Sequence, residues 1–156
     1  MAGLPVAFSQ GFNPHMQISW GPAHPVGLAS SSEYLDITFT EQLPQGWEAR
    51  LDQTLPEGLR LLAAKGIELS AKALMAAVNY MDYELVFDQP DMALLDKQLQ
   101  TLLTSSSCLI ERTSPKGKKT VDIRPSLVKL WRDGNKVCYA VRLDKGAVPK
   151  PWEVGA

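Results

Sequence analysis

The chain has 156 residues, 45% of them apolar, and a net charge of −1, enough material for one ordinary domain or two small ones with a real core. No run approaches the roughly 18 uninterrupted apolar residues of a membrane helix, and no basic segment followed by an apolar run opens the chain, so the expected compartment is the cytoplasm, with no membrane partner. The charge is uneven: five Lys/Arg stand against twelve Asp/Glu before Glu111, and eleven against five from Glu111 onward. That asymmetry suits a face that meets polyanions, or subunits and domains that attract each other.

Leu4–Phe8 is short, apolar and partly β-branched, and Met16–Trp20 alternates apolar with polar; both read as strands joined by a turn over Gly11–Pro14. Gly21, Pro22, Pro25 and Gly27 form a loop into Glu33–Phe39, a strand with Tyr34, Asp36 and Thr38 on one face and Leu35, Ile37 and Phe39 on the other. Trp47, Leu51 and Leu55 at i, i+4 and i+8 predict a helix over Gln45–Leu55, stopped by Pro56 and Gly58. Leu59–Ala64 reads as a further strand.

After the small residues of Lys72–Ala77, Tyr80–Phe87 alternates as a strand. A helix over Asp91–Leu103 follows, with Asp91 as N-cap and Leu94, Leu95, Leu99, Leu102 and Leu103 on its apolar face. Strands are expected over Cys108–Thr113, Thr120–Trp131 and Val137–Leu143, the last two joined by the hairpin signal Asp133-Gly134-Asn135. Pro149–Glu153 looks like the opening of a helix. Cys108 and Cys138 fall in segments that read as strands and are read as buried reduced thiols, and no cysteine cluster suggests a zinc or iron–sulfur cofactor.

The element order suggests an α+β chain of two ferredoxin-like (βαββαβ-type) subdomains, residues 1–70 and 71–156, the first lacking its opening strand and helix and the second its closing helix and strand. A pair of such units is also the general plan of the CRISPR repeat-processing endonucleases, an analogy of fold alone.

The densest functional signal is Phe8-Ser9-Gln10-Gly11-Phe12-Asn13-Pro14-His15. Ser9, Gln10 and Asn13 offer hydrogen bonds to a phosphate, base or peptide group, or else cap their own turn, and Gly11 would let a ligand approach the backbone. His15 is the one weak catalytic candidate, as a general base near neutral pH, and His24 brackets the same loop; without a placed carboxylate the two make a poor metal pair. Phe12 and Trp20 could stack on bases, or be core. Lys116, Lys118 and Lys119 at a hairpin tip, with Arg124, Lys129, Arg132 and Lys136 nearby, could track phosphates or simply guard a sheet edge. Asp122 and Arg124 lie two apart on one expected strand, where they could pair. Walker, nucleophile-elbow, dinucleotide and zinc-protease motifs are absent, as is the Cys-x₃-Cys-x₂-Cys cluster motif.

Taken together, AGLPVAFSQGFNPHMQISWGPAHPVGLASSSEYLDI over Ala2–Ile37, with Leu55–Leu59, Leu74–Asn79 and Val121–Pro125, resembles the radical-SAM-linked family of unknown function, a domain found alone or fused behind a radical-SAM enzyme. The resemblance implies a strand and a helix with a Ser-His-Leu-Asp motif ahead of Ala2, and a partner enzyme that performs any radical chemistry. The expectation is an accessory module without catalysis of its own, holding RNA or a ribonucleoprotein through Ser9, Gln10, Asn13, His15, Lys118, Lys119 and Arg124. The alternatives are a protein-interaction or homodimerisation domain, and a small metal-independent ribonuclease using His15.

Overall fold

The computed structural model describes residues 2–23 and 25–154; His24 lies outside the described residues. The chain mixes helices with antiparallel sheets and divides into two compact units, Met1–Ala77 and Val78–Ala156.

In the first unit β1 (Ile18–Trp20) pairs antiparallel with β2 (Leu35–Ile37), Ile18 opposite Ile37 and Trp20 opposite Leu35. The expected strand at Leu4–Phe8 contributes only isolated bridges, Val6 to Phe39 and Phe8 to Met16. Helix α1 (Trp47–Asp52) is shorter than its apolar stripe suggests, because the left-handed Gly46 starts it and a turn follows at once. Its Trp47 ring sits 6.2 Å from that of Phe39. The short helix α2 (Leu74–Ala77) lies against β1.

The expected strand at Leu59–Ala64 does not form: the segment is irregular, although the Leu61 amide donates to the Asp52 carboxylate at 2.6 Å. A strand needs a neighbour to take up its amides and carbonyls, and among the described residues no other segment supplies one here. Among the described residues of this unit none is fully buried. Phe8, Met16, Trp20 and Leu35 all remain at least 41% exposed.

The second unit holds the core. β3 (Tyr80–Val86), β6 (Leu127–Asp133) and β7 (Lys136–Arg142) form a sheet ordered β3-β7-β6, every neighbour antiparallel. Alternation places Met81, Tyr83 and Leu85 on the face that packs with Val137, Tyr139, Val141, Leu127 and Leu130. Helix α3 (Met92–Thr104) seals that face with Leu95, Leu99, Leu102 and Leu103. Asp91 caps the helix as expected, its carboxylate accepting from the amides of Ala93 and Leu94 at 3.0 and 3.1 Å.

The hairpin β6–β7 turns at Gly134–Asn135, with Gly134 at φ 58, where a side chain would be strained. A second hairpin, β4 (Leu109–Ser114) with β5 (Gly117–Asp122), stands as a separate ladder. The expected single strand over Thr120–Trp131 is thus two, broken by a 3-10 turn at Arg124–Ser126. Pro125 has no amide for a ladder, and that is the physical reason for the break. A short helix α4 (Pro151–Val154) ends the described chain. Cys108 and Cys138 are free and half-buried.

Candidate functional site

The loop after Phe8 is closed at its base. The Ser9 amide donates to the His15 carbonyl at 2.8 Å, and the His15 amide donates back to Ser9 Oγ at 3.0 Å. One step further in, Phe8 bridges Met16, and the Gln17 amide and side chain donate to the carbonyls of Ala7 and Phe8 at 2.8 and 3.3 Å. Ser9 is therefore part of the frame, its acceptor role taken up by His15.

Gln10 to His15 project from that frame into solvent. Gly11 has φ 139, in the region that favours glycine, with open space around its α-carbon. Phe12 beside it is fully exposed. The side-chain amides of Gln10 and Asn13 and the His15 ring make no hydrogen bond among the described residues, so all remain available to an incoming group. No carboxylate among the described residues is placed on the His15 ring. Among the described residues no cluster of three or more His, Cys, Asp and Glu could hold a metal ion.

The basic candidates lie in the second unit, where Lys118, Arg124, Arg132 and Lys136 already have partners. Lys118 is ion-paired to Glu111 at 2.8 Å, and both side chains are exposed. Lys119 faces Arg112 across the ladder while Lys118 faces Thr113, so the neighbouring lysines leave opposite faces of the hairpin. Arg112 forks onto Glu153 at 2.8 and 2.7 Å and donates to the Val148 carbonyl at 2.7 Å. Burial pushes Glu153 up, but the Arg112 hydrogen bond and the Lys150 amide outweigh it, and the carboxyl lies below its ordinary range. Arg132 pairs with Asp96, Lys136 with Glu84 and Arg142 with Asp144.

Arg124 is enclosed rather than presented. Its guanidinium donates to the carbonyls of Ser105, Leu127 and Leu103 at 3.1, 3.0 and 3.1 Å. The Asp122 carboxylate accepts from the Cys108 amide at 2.8 Å, the Ser107 hydroxyl at 2.9 Å and the Arg124 amide at 3.0 Å. Ile123 between them is wholly buried, and Ser126 Oγ bonds the carbonyls of Ile123 and Ala147 at 2.9 and 2.8 Å. Val121–Pro125 is accordingly the joint at which hairpin, helix end and sheet meet.

Of the seven expected contact residues, Gln10, Asn13 and His15 come together with free polar groups, and Ser9 frames them. Lys118, Lys119 and Arg124 belong to the other unit, where Lys118 and Arg124 are held by partners. Sequence reasoning left Phe12 off that set because an aromatic beside strands is more often core; its place between Gly11 and Asn13-Pro14, inside a turn, is the signal that points outward.

Among the described residues no helix is long and apolar enough to cross a membrane. No curated protein and no solved structure matches the chain. A family model covering residues 1–149 does match, and spans both the loop at Ser9–His15 and the Val121–Pro125 joint. The chain belongs to that family, described as "Uncharacterized protein conserved in bacteria (DUF2344)".

Proposed function

We propose that this chain is a binding module without a reaction of its own, which presents RNA or a ribonucleoprotein to a partner radical-SAM enzyme in the cytoplasm. The observation that carries the reading is the Gln10–His15 loop: a closed base, a fully exposed aromatic ring, and amide and imidazole groups with no partner among the described residues. Aromatic rings and free amides on a surface loop suit unpaired nucleotides, which offer both faces and edges. The radical-SAM partner rests on the resemblance of Ala2–Ile37. A ribonuclease using His15 is the weaker reading, since among the described residues no second group is placed to orient its ring or serve as acid.

The fold reading that accompanies this proposal is ferredoxin-like for the second unit. The order β3-β7-β6 with α3 after β3 matches the first four elements of such a unit, with the β4–β5 hairpin inserted between helix and second strand.

A second reading, self-association, is favoured by the apolar side chains of Phe8, Met16, Trp20 and Leu35 left exposed on the first unit.

Binding of a fluorescent structured-RNA pool at several salt concentrations tests the first reading. Affinity that falls as salt rises is expected. No binding even at low salt would overturn it, and concentration-dependent sedimentation would then test the second.

A further inference from the structure

We propose that the Gln10–His15 loop reads an unpaired RNA base, stacking it on Phe12 and meeting its edge with the side-chain amides of Gln10 and Asn13. This rests on the RNA-presenting reading above and adds to it the part of the nucleotide that is recognised.

Phe12 exposes its whole ring, and an apolar ring of that size gains by leaving water. The Ser9–His15 bonds fix both ends of the loop, and Gly11 takes a backbone conformation that other residues resist, so the ring is held away from the surface. The result is a convex tip. A ring on a convex tip suits insertion beside a splayed base, whereas small molecules are held in concave, mostly apolar pockets.

The groups around the ring narrow the ligand further. Gln10 and Asn13 each carry a carbonyl acceptor and an amide donor on one planar end, the pairing that matches an adenine edge in a bidentate way. Burying them with the ring in an apolar protein pocket would strip water from polar groups without return. A base offers an apolar face to the ring and a polar edge to the amides at once. In a paired RNA helix stacking covers both faces of the base, and the adenine edge that an amide reads lies in a major groove too deep and narrow for side chains, so the ligand is unpaired. The loop from Gln10 to His15 contains no Lys or Arg, so recognition here is of the base and not of the phosphate.

The experiment uses the full chain and two labelled RNAs, a hairpin with an adenine in its loop and a fully paired duplex of the same composition. The hairpin is expected to bind more tightly. Phe12→Ala should weaken hairpin binding about tenfold and leave duplex binding unchanged, while Phe12→Trp retains affinity. Replacing the loop adenine by an abasic nucleotide should produce the same loss in the parent chain and no further loss in Phe12→Ala. If Phe12→Ala binds the hairpin as well as the parent does, the base-reading inference is wrong while RNA binding stands. If neither RNA binds at low salt, the RNA reading and this inference fail together.

Discussion

The guanidinium of Arg124 closes the C-terminal end of α3 by donating to the carbonyl of Leu103 at 3.1 Å. The last carbonyls of a helix have no partner within it and carry partial negative charge, so a cation there satisfies both a hydrogen-bonding and an electrostatic need. Ser105 and Leu127 receive the other two bonds, and one side chain thereby ties the helix end to the start of β6. Arg124→Ala should cost about 2–3 kcal/mol in urea unfolding, because it removes charge-assisted bonds from a half-buried site. Arg124→Lys should recover only part, since the three donors of an ammonium sit on one nitrogen and do not span the carbonyls that Nε, Nη1 and Nη2 reach. RNA affinity of the folded Arg124→Ala protein should stay near that of the parent; a large loss there would return Arg124 to the binding surface.

Acid sensitivity follows from Asp122. The Cys108 amide is the largest influence holding its carboxyl below the ordinary range; burial opposes this, and the Arg124 amide and Ser107 hydroxyl add to it. A carboxyl depressed in the folded state contributes stability that is complete above its unfolded value and is lost as pH falls through the folded one. The parent should therefore lose stability as pH drops below about 4, and Asp122→Asn should be less stable at neutral pH with a shallower loss in acid. Urea midpoints taken at successive pH values measure this. An unchanged acid slope in Asp122→Asn would assign the effect to Asp96, Asp144 and Glu153, which are also held low.

Tyr139 presents the opposite case, a polar atom that folding leaves unserved. Its side chain is wholly buried, its ring stacks on that of Tyr83 at 4.9 Å, and its hydroxyl has no hydrogen-bond partner among the described residues. Burial pushes the phenol well above its ordinary range, with Tyr83 and Glu153 adding to the shift. Tyr139→Phe keeps the ring and removes the unserved hydroxyl, so it should raise stability by about 1 kcal/mol. A loss of comparable size would mean that the hydroxyl is satisfied in solution. Tyr139→Ala should cost about 3–5 kcal/mol through the cavity it opens.

How far these features could be read in advance depended on how local their causes are. Asp91 as a cap, Leu95, Leu99, Leu102 and Leu103 on the inner face of α3 and the turn at Gly134–Asn135 are set by residues within a turn or two of each other and stand where their pattern puts them, whereas Leu94, expected on the same face, is 52% exposed. Leu59–Ala64 carries a strand-like composition, yet a strand is completed by its neighbour, and the neighbour is not written in the segment. Pro125 is the visible sign that Thr120–Trp131 does not run as one strand, and with β5 ending at Asp122 and the 3-10 turn starting at Arg124, the two do not share a strand face. The partners of Arg124 lie up to 21 residues away in sequence, so its capping role had no local signature. The Ser9–His15 loop was legible as a dense turn, but the outward placement of Phe12 depends on the closure beneath it.

Lys118 and Lys119 separate the expectation of a phosphate-tracking hairpin into two tests, because adjacent residues on a strand leave opposite faces. The Lys118–Glu111 pair is exposed on both sides, at 68% and 55%, and such pairs add little, so Lys118→Ala should change stability by less than about 0.5 kcal/mol. Its charge is already matched by Glu111, which leaves Lys119 as the one of these two lysines available to a phosphate. Lys119→Ala should then lower RNA affinity and reduce the salt slope by about one, with Lys118→Ala leaving both unchanged. Equal losses from the two would mean that RNA reaches both faces of the hairpin. No loss from either would remove β5 from the binding surface and leave the Gln10–His15 loop as the contact to pursue.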